Sequence, residues 1–166
     1  LLLDCSRSMA FGSPPKFDLA RQIVAALAYI ALADLDRVAV IAFADDIIAD
    51  FPMTRGKDRI LSLLKFLEGL EVQGEATDLG RVVKAFTQRP QRRGLAVVVS
   101  DLFDPQGYER GFDLLRYRNY ELNAVQLHDR LEAEPSLLGE LELVDIESDG
   151  GQRVTITENA LKKYRT

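Results

Sequence analysis

Cysteine and histidine are scarce in this sequence, and both shortages narrow what the protein can do. Cys5 is the only cysteine and His128 the only histidine. A single cysteine cannot form an intrachain disulfide, so a reducing compartment such as the cytoplasm is favoured. The chain also lacks the combination of thiolate and imidazole ligands that is typical of zinc sites. Oxygen ligands are therefore what the chain offers to a metal ion.

Positive charge and long apolar runs are scarce as well. The formal net charge is −5, and lysine and arginine form no basic stripe. Nucleic acid is therefore not an expected partner, since binding its backbone needs clustered basic side chains. The longest apolar run, Ile23 to Ala33, has 11 residues, whereas a helix needs about 20 to span a bilayer. We expect a buried helix there and no membrane contact within this segment.

The length and composition suit one domain. The chain has 166 residues, of which 47% are hydrophobic, enough for a sizeable core. We expect residues 1–166 to form a single domain that works in the cytoplasm. Residue 1 already lies in an apolar run, without Met and without a signal peptide. We therefore expect this domain to be part of a longer protein, in which another segment would provide any membrane anchor.

Extended and helical patterns alternate along the chain, which is typical of an α/β fold. Nearly continuous apolar runs predict strands at Leu1–Leu3, Arg37–Phe43 and Gly94–Ser100, and Glu121–Leu127 is a further predicted strand. Apolar residues at helical spacing predict helices after Ser13-Pro14-Pro15 and at Lys57–Leu70, Asp78–Phe86, Tyr108–Tyr117 and Asn159–Tyr164. The resulting prediction is a doubly wound, mostly parallel sheet with helices on both faces.

Two hairpins are predicted in addition. Only three residues separate Phe43 from the next strand, Ile47–Phe51, which permits an antiparallel edge strand but not a parallel crossover. Near the C-terminus, a Ser148-Asp149-Gly150-Gly151 turn joins Leu141–Glu147 to Arg153–Thr157. An Asp-Gly-Gly sequence between two alternating runs is a strong signal for a C-terminal β-hairpin.

Acidic side chains follow two of the predicted parallel strands. Asp4 follows Leu1–Leu3 and Asp101 follows Gly94–Ser100. If right-handed crossovers place these strands side by side, their ends are about 5 Å apart. Two carboxylates this close repel each other unless a proton or a cation lies between them. We therefore predict a cation site at the carboxyl edge of the sheet, where ligands bind in such folds.

Hydroxyl groups complete the predicted site. Ser6 and Ser8 occupy alternate positions after Asp4, so in an extended turn they point the same way. Thr77 adds a third hydroxyl from a loop that precedes a helix. Carboxylate, hydroxyl and water oxygens are the ligands that Mg²⁺, Ca²⁺ or Mn²⁺ prefer. The predicted metal ligands are Asp4, Ser6, Ser8, Thr77 and Asp101.

These residues carry a resemblance to a known family. Asp4-Cys5-Ser6-Arg7-Ser8 matches DxSxS, the first element of the metal-ion-dependent adhesion site (MIDAS) of von Willebrand factor A domains. Thr77-Asp78 resembles that site's threonine element, and Asp101 resembles its final acid. The chain is most similar to the bacterial MoxR-associated branch, long called domain of unknown function 58, through FDLARQIVAALAYIALADLDRVAVIAF, TDLGRVVKAF, SDLFD and HDRLEAEP.

The resemblance implies a function. In the family, the hydroxyls of Ser6, Ser8 and Thr77 would bind the metal directly or nearly so, and Asp4 and Asp101 would act partly through water. The ion then keeps an open position for a Glu or Asp of a partner protein. The implied protein is a metal-dependent interaction module and not an enzyme. It would work with a MoxR-type AAA+ ATPase in the assembly or maturation of other proteins.

One feature departs from the family pattern. Relatives often have Gly-Gly before the threonine, whereas this chain has Glu75-Ala76. A carboxylate beside Thr77 would shift the metal preference or supply an internal ligand, although a solvated Glu75 is the simpler interpretation. A scaffold whose metal site is degenerate is the corresponding alternative function.

An enzyme is the other alternative, specifically a Mg²⁺-dependent phosphohydrolase or phosphotransferase. Such sites usually pair an aspartyl nucleophile with a carboxylate two residues later and with a lysine near the phosphate. Here Ser6 takes the place of that carboxylate, and no lysine is predicted at the carboxyl edge of the sheet. The serines also lack an adjacent base.

Simpler interpretations exist for several of these residues. Asp4, Ser6 and Ser8 could form a turn and helix cap, and Asp78 is expected to cap the helix that it precedes. Cys5 alternates with the predicted ligands and should face the core. Three more side chains are expected to lie at turns or at the surface: Asp104, His128 and Asp129.

Overall fold

The central element of the protein is a five-stranded sheet. The computed structural model describes residues 1–74, 76–89, 93–133, 139–144 and 151–156. The strands are β1 (Leu2–Asp4), β2 (Arg37–Phe43), β3 (Ile47–Arg55), β4 (Leu95–Ser100) and β5 (Glu121–Gln126). Their order is β3-β2-β1-β4-β5, and only β3 runs antiparallel to its neighbour. The predicted mostly parallel sheet with one antiparallel edge strand is confirmed.

Helices cover both faces of this sheet, as the sequence predicts. They are α1 (Lys16–Ala33), α2 (Ile60–Glu68), α3 (Leu79–Thr87), α4 (Glu109–Tyr117) and α5 (Arg130–Ala133). Residues of α1 and α2 pack in one apolar core, and residues of α3 and α4 pack in the other. Among the helices of the described residues, none combines the length and apolarity needed to cross a bilayer.

Alternating side chains of β1 and of the residue that follows it supply both cores. Leu3 and Cys5 pack in the core of α1 and α2, whereas Leu2 packs in the core of α3 and α4. All three are buried, and burial of each leucine contributes about 1.5–3 kcal/mol to stability. The expectation that Cys5 faces the core is therefore confirmed.

The sheet changes direction beside β1. The chain moves from β1 to β2 on one side and later returns to place β4 on the other side of β1. The carboxyl ends of β1 and β4 therefore flank a topological switch point, where open α/β sheets form their ligand crevice. Leu3 is level with Val99 in the parallel register, so the residues that follow each strand meet at one edge.

Several boundaries differ from the predicted ones. The edge strand β3 continues through Pro52 to Arg55 instead of ending at Phe51. Proline is tolerated there because an edge strand leaves one row of backbone groups unpaired, and a register shift between Val38 and Val40 lies opposite. Two short helical elements were not predicted: the turn Arg7–Ala10 and α5. The predicted helix Lys57–Leu70 begins with a 3₁₀ turn at Lys57–Arg59 before α2.

A separate two-stranded antiparallel sheet is formed by β6 (Gly139–Val144) and β7 (Gly151–Ile156). Both strands begin two residues earlier than predicted. Residues 145–150, which include most of the predicted turn, lie outside the described residues, as does the predicted helix Asn159–Tyr164.

Candidate functional site

The acid that ends β1 is completely buried. Asp4 is 0% exposed, and its two carboxylate oxygens accept different hydrogen bonds. The Ser6 backbone N–H donates to Oδ1 at 2.8 Å, and the Ser100 hydroxyl donates to Oδ2. Ser100 ends the neighbouring strand β4, so this contact joins the two strand ends on which the predicted site depends. The sequence analysis did not single out Ser100.

Burial raises the pKa of Asp4 to about 6, against a reference value of 3.8. Hydrogen bonds from Ser100 and Ser6 oppose this rise, and the charge of Asp101 adds to it. The contact of Asp4 with Ser100, the residue before Asp101, places the two acids at neighbouring strand ends. A cation placed between them would favour the ionised form of both.

Ser6 and Ser8 bring their hydroxyls together at the same edge. Both residues are buried, and their Oγ atoms are 3.1 Å apart. The turn that carries them is not extended as predicted, because Arg7–Ala10 form a 3₁₀ helix with Ser6 as its N-cap residue. The Ser6 side chain makes no capping hydrogen bond, so its hydroxyl remains directed to Ser8 rather than to the helix backbone. This argues against a simple capping role for Ser6.

Thr77 supplies a buried hydroxyl that is unsatisfied. The residue is 3% exposed, and within the described part of the chain its Oγ1 has no hydrogen-bond partner. Leaving a buried hydroxyl unpaired costs about 1–3 kcal/mol, so native proteins rarely keep one without a ligand or a water molecule. This atom is the observation in the structure that most directly supports a ligand site at this edge.

The loop before Thr77 is held against the ends of β1 and β2. The Gln73 backbone N–H donates to the Cys5 carbonyl at 2.8 Å, and the Asp78 N–H donates to the Ala44 carbonyl at 3.2 Å. Gly74 has a φ of +92°, and a Cβ on it would lie 2.6 Å from the Ala44 Cβ. Glycine is therefore needed for the close approach that places Thr77 at this edge.

Asp101 directly follows β4, and both of its carboxylate oxygens accept hydrogen bonds. Its Oδ1 accepts the Phe103 N–H at 3.1 Å, and its Oδ2 accepts Lys16 Nζ at 2.8 Å. Asp101 and Lys16 are both buried. The prediction that no lysine lies at this edge is therefore wrong. Lys16 is the first residue of α1. The helix dipole disfavours a cation at that position, so a lysine at the start of a predicted helix was the sequence signal that could have indicated its role.

The Lys16 ammonium lies in a closed environment. Besides Asp101, it donates to Glu132 Oε1 of α5 at 2.6 Å. It also lies 5.1 Å from the centroid of the Phe103 ring and 5.9 Å from that of Phe11, within the range of cation–π attraction. Lys16 and Glu132 are thus additional members of the site that the sequence analysis missed.

The remaining candidate residues have structural roles. Asp78 caps α3 by accepting the Arg81 N–H at 2.8 Å, and Asp104 accepts the N–H groups of Leu79 and Gln106. Asp129 accepts the Leu131 N–H at the start of α5. These roles at caps and turns confirm the expectations.

Cys5 and His128 lie in different environments, one buried and the other exposed. Burial raises the pKa of Cys5 to about 12, which keeps the thiol protonated and unreactive. His128 is exposed, as expected. Glu75, the other residue singled out beside Thr77, lies outside the described residues.

The residue types at this edge suit a hard cation only. No group of three or more His, Cys, Asp and Glu side chains that could hold a metal occurs among the described residues. The candidate set instead combines two carboxylates with three hydroxyls, so it fits Mg²⁺, Ca²⁺ or Mn²⁺ rather than a transition metal bound by imidazole or thiolate. The buried Thr77 hydroxyl supports this fit, whereas the contact between Lys16 and Asp101 reduces the charge left for an ion.

All of residues 1–166 match the family described as "Protein of unknown function DUF58". The chain belongs to the DUF58 family. This confirms the domain of unknown function 58 resemblance. Similar relatives include the uncharacterized proteins Rv1480 of Mycobacterium tuberculosis and Mb1516 of Mycobacterium bovis, each 26% identical over 152 residues. The match covers 89% of this chain and 48% of each relative, so the chain spans about half the length of these relatives.

Two solved structures share the fold of this DUF58 chain. An aerotolerance-related membrane protein from Bacteroides fragilis is 19% identical with a TM-score of 0.65, and the match covers 99% of this chain and 84% of that one. BatB from Bacteroides thetaiotaomicron is 17% identical with a TM-score of 0.62, covering 99% and 82%. At these identities the likeness establishes the α/β fold alone.

Proposed function

We propose that this DUF58 chain is a metal-dependent protein-interaction module with a von Willebrand factor A type MIDAS. The observation that carries the proposal is the meeting of buried carboxylates and hydroxyls at the switch point of the sheet, including the Thr77 hydroxyl that lacks a partner among the described residues. Mg²⁺ is the expected ion, with Ca²⁺ or Mn²⁺ as possible substitutes.

The five predicted residues would divide the work of holding the ion. The hydroxyls of Ser6, Ser8 and Thr77 would bind it, and the carboxylates of Asp4 and Asp101 would balance its charge. Both acids would do so partly through water, because both oxygens of each already accept hydrogen bonds from protein groups. When bound, the ion supplies a Lewis-acidic position that captures a Glu or Asp side chain of a partner protein.

The partner proposed for the whole protein is a MoxR-type AAA+ ATPase, acting with this domain in the assembly or maturation of other proteins. The support is the resemblance of the chain to the MoxR-associated branch. The domain itself would work in the cytoplasm, where its single cysteine stays reduced, and a membrane anchor would belong to another part of the full-length protein.

The metal site is tested by isothermal titration of Mg²⁺ into the wild-type domain and into Ser6→Ala. We expect binding to the wild type and at least a tenfold loss of affinity in the variant, since a direct ligand is removed. Ser62→Ala, on the exposed side of α2, is the matched control and should bind like the wild type. Absence of Mg²⁺ binding in all three proteins would contradict the proposal.

The partner is tested with the full-length protein and a purified MoxR-type ATPase from the same organism. Binding should require Mg²⁺ and should be lost in Ser6→Ala. That variant matters because a chelator also removes Mg²⁺ from the ATPase, whereas the substitution affects only this site. Equal binding of wild type and Ser6→Ala would favour the scaffold with a degenerate metal site.

The buried Lys16 gives some support to the alternative, a Mg²⁺-dependent phosphohydrolase or phosphotransferase, since such enzymes use a lysine near the phosphate. However, Lys16 Nζ is held by Asp101 and Glu132, and both oxygens of Asp4 accept hydrogen bonds. A generic phosphatase substrate separates the two functions. Mg²⁺-dependent turnover that disappears in Asp4→Asn would establish the enzyme.

A further inference from the structure

We propose that Lys16 is an internal competitor of the divalent metal, an ammonium group tethered at Asp101 that lowers the affinity of the site. This inference rests on the proposed function, because it concerns the same metal site. It adds a residue outside the proposed metal-ligand set that would set the affinity of the site.

The first support for this inference is the position of the Lys16 ammonium. Lys16 Nζ lies 2.8 Å from Asp101 Oδ2, and Asp101 is one of the two acids expected to balance the charge of the ion. The side chains of Lys16 and Asp101 are 4% and 0% exposed. A pair so well buried is screened little by salt, and its charges interact more strongly than surface charges do. A metal ion therefore meets an Asp101 whose charge is already compensated.

The ammonium is also held where it is. The Lys16 backbone N–H donates to the Phe11 carbonyl at 2.9 Å, which fixes the start of α1 beside the loop of Ser6 and Ser8. The rings of Phe11 and Phe103 flank Nζ, and Glu132 holds it from α5. Lys16 cannot leave Asp101 for solvent without losing these contacts.

The charge balance gives the direction of the effect. Asp4, Asp101 and Glu132 bring three carboxylates to this edge, and the Lys16 ammonium, which contacts Asp101 and Glu132 directly, offsets one negative charge among them. Removing the ammonium should therefore strengthen metal binding, even though it destabilises the metal-free protein by leaving Asp101 buried and unpaired. If Lys16 had a purely structural role, its replacement would change only the stability of the protein and not its affinity for the metal.

The test is calorimetric titration of Mg²⁺ into Lys16→Met and Lys16→Gln, with thermal unfolding measured in the presence and absence of Mg²⁺. We expect Mg²⁺ to bind both variants at least about tenfold more tightly than the wild type. We also expect a larger rise of Tm on adding Mg²⁺, from a lower starting Tm. Lys57→Met removes the same charge at an exposed position at the opposite edge of the sheet and should bind like the wild type.

Lys16→Gln keeps a hydrogen-bond donor beside Asp101, so it reports on charge if Lys16→Met fails to fold. If neither variant folds without metal, refolding in Mg²⁺ decides, since the proposal requires the ion to replace the ammonium and restore the fold. Wild-type affinity in the Lys16 variants, or failure to fold even in saturating Mg²⁺, would overturn the inference while leaving the metal site intact. Absence of Mg²⁺ binding in the wild type and in every variant would overturn the proposed function as well.

Discussion

Thr77 is the residue at which stability and metal binding should separate. Its hydroxyl is buried and lacks a hydrogen-bond partner among the described residues, whereas a valine has nearly the same shape without the polar atom. Thr77→Val should therefore raise the free energy of unfolding of the metal-free protein by about 1 kcal/mol and also abolish its stabilisation by Mg²⁺. Chemical denaturation with and without Mg²⁺ measures both effects. A variant that is less stable than the wild type and still responds to Mg²⁺ would show that Thr77 is not a ligand.

The residues that could be predicted from the sequence are those with a local signal. Asp4, Ser6 and Ser8 lie within five residues of one another, so their pattern is visible in a single stretch. Lys16 and Ser100 were missed because their contacts join residues far apart in the chain. The Lys16–Asp101 pair spans 85 positions, and the Ser100–Asp4 pair spans 96.

The loop that carries Thr77 is the element on which the site geometry most depends. Gly74 lets it pass close to Ala44 with a left-handed backbone. Gly74→Ala should destabilise the protein by about 1–3 kcal/mol through strain and the clash with Ala44, and should weaken Mg²⁺ binding because Thr77 moves with the loop. Gly94→Ala is the matched control, since a Cβ there meets no atom within 4 Å and the backbone is unstrained.

Thermal unfolding and Mg²⁺ titration of these two glycine variants test this role of the loop. Equal behaviour of Gly74→Ala and Gly94→Ala would mean that the loop does not position the ligand.

The main strands and helices were predictable because their burial patterns are simple. The continuous apolar run Arg37–Phe43 is β2 at the predicted bounds, since both faces of that strand are covered. The predicted ends of strands and helices were wrong where contacts between distant parts of the chain determine them. The edge position of β3 lets it continue past Pro52, and α5 is too short to show a periodicity of its own.

At the scale of the whole molecule, the cluster of buried acids and hydroxyls lies at the switch point of the sheet, between the carboxyl ends of β1 and β4. β1 and β4 lie side by side with their carboxyl ends together, and each end carries a buried acid. The two acids were expected to meet on the condition that right-handed crossovers place their strands side by side, and the strand order meets this condition. The balance of charge within the site could not be predicted from the sequence, because it depends on Lys16 and on Glu132 of α5.

The most direct measurement is a crystal structure of the domain grown with Mn²⁺, with the ion located by its anomalous scattering. The account predicts one Mn²⁺ peak at the carboxyl ends of β1 and β4, within bonding distance of the hydroxyls of Ser6, Ser8 and Thr77. Asp4 and Asp101 would lie beside it. A map without a peak there, with the Thr77 hydroxyl bonded to a protein group instead, would contradict the account.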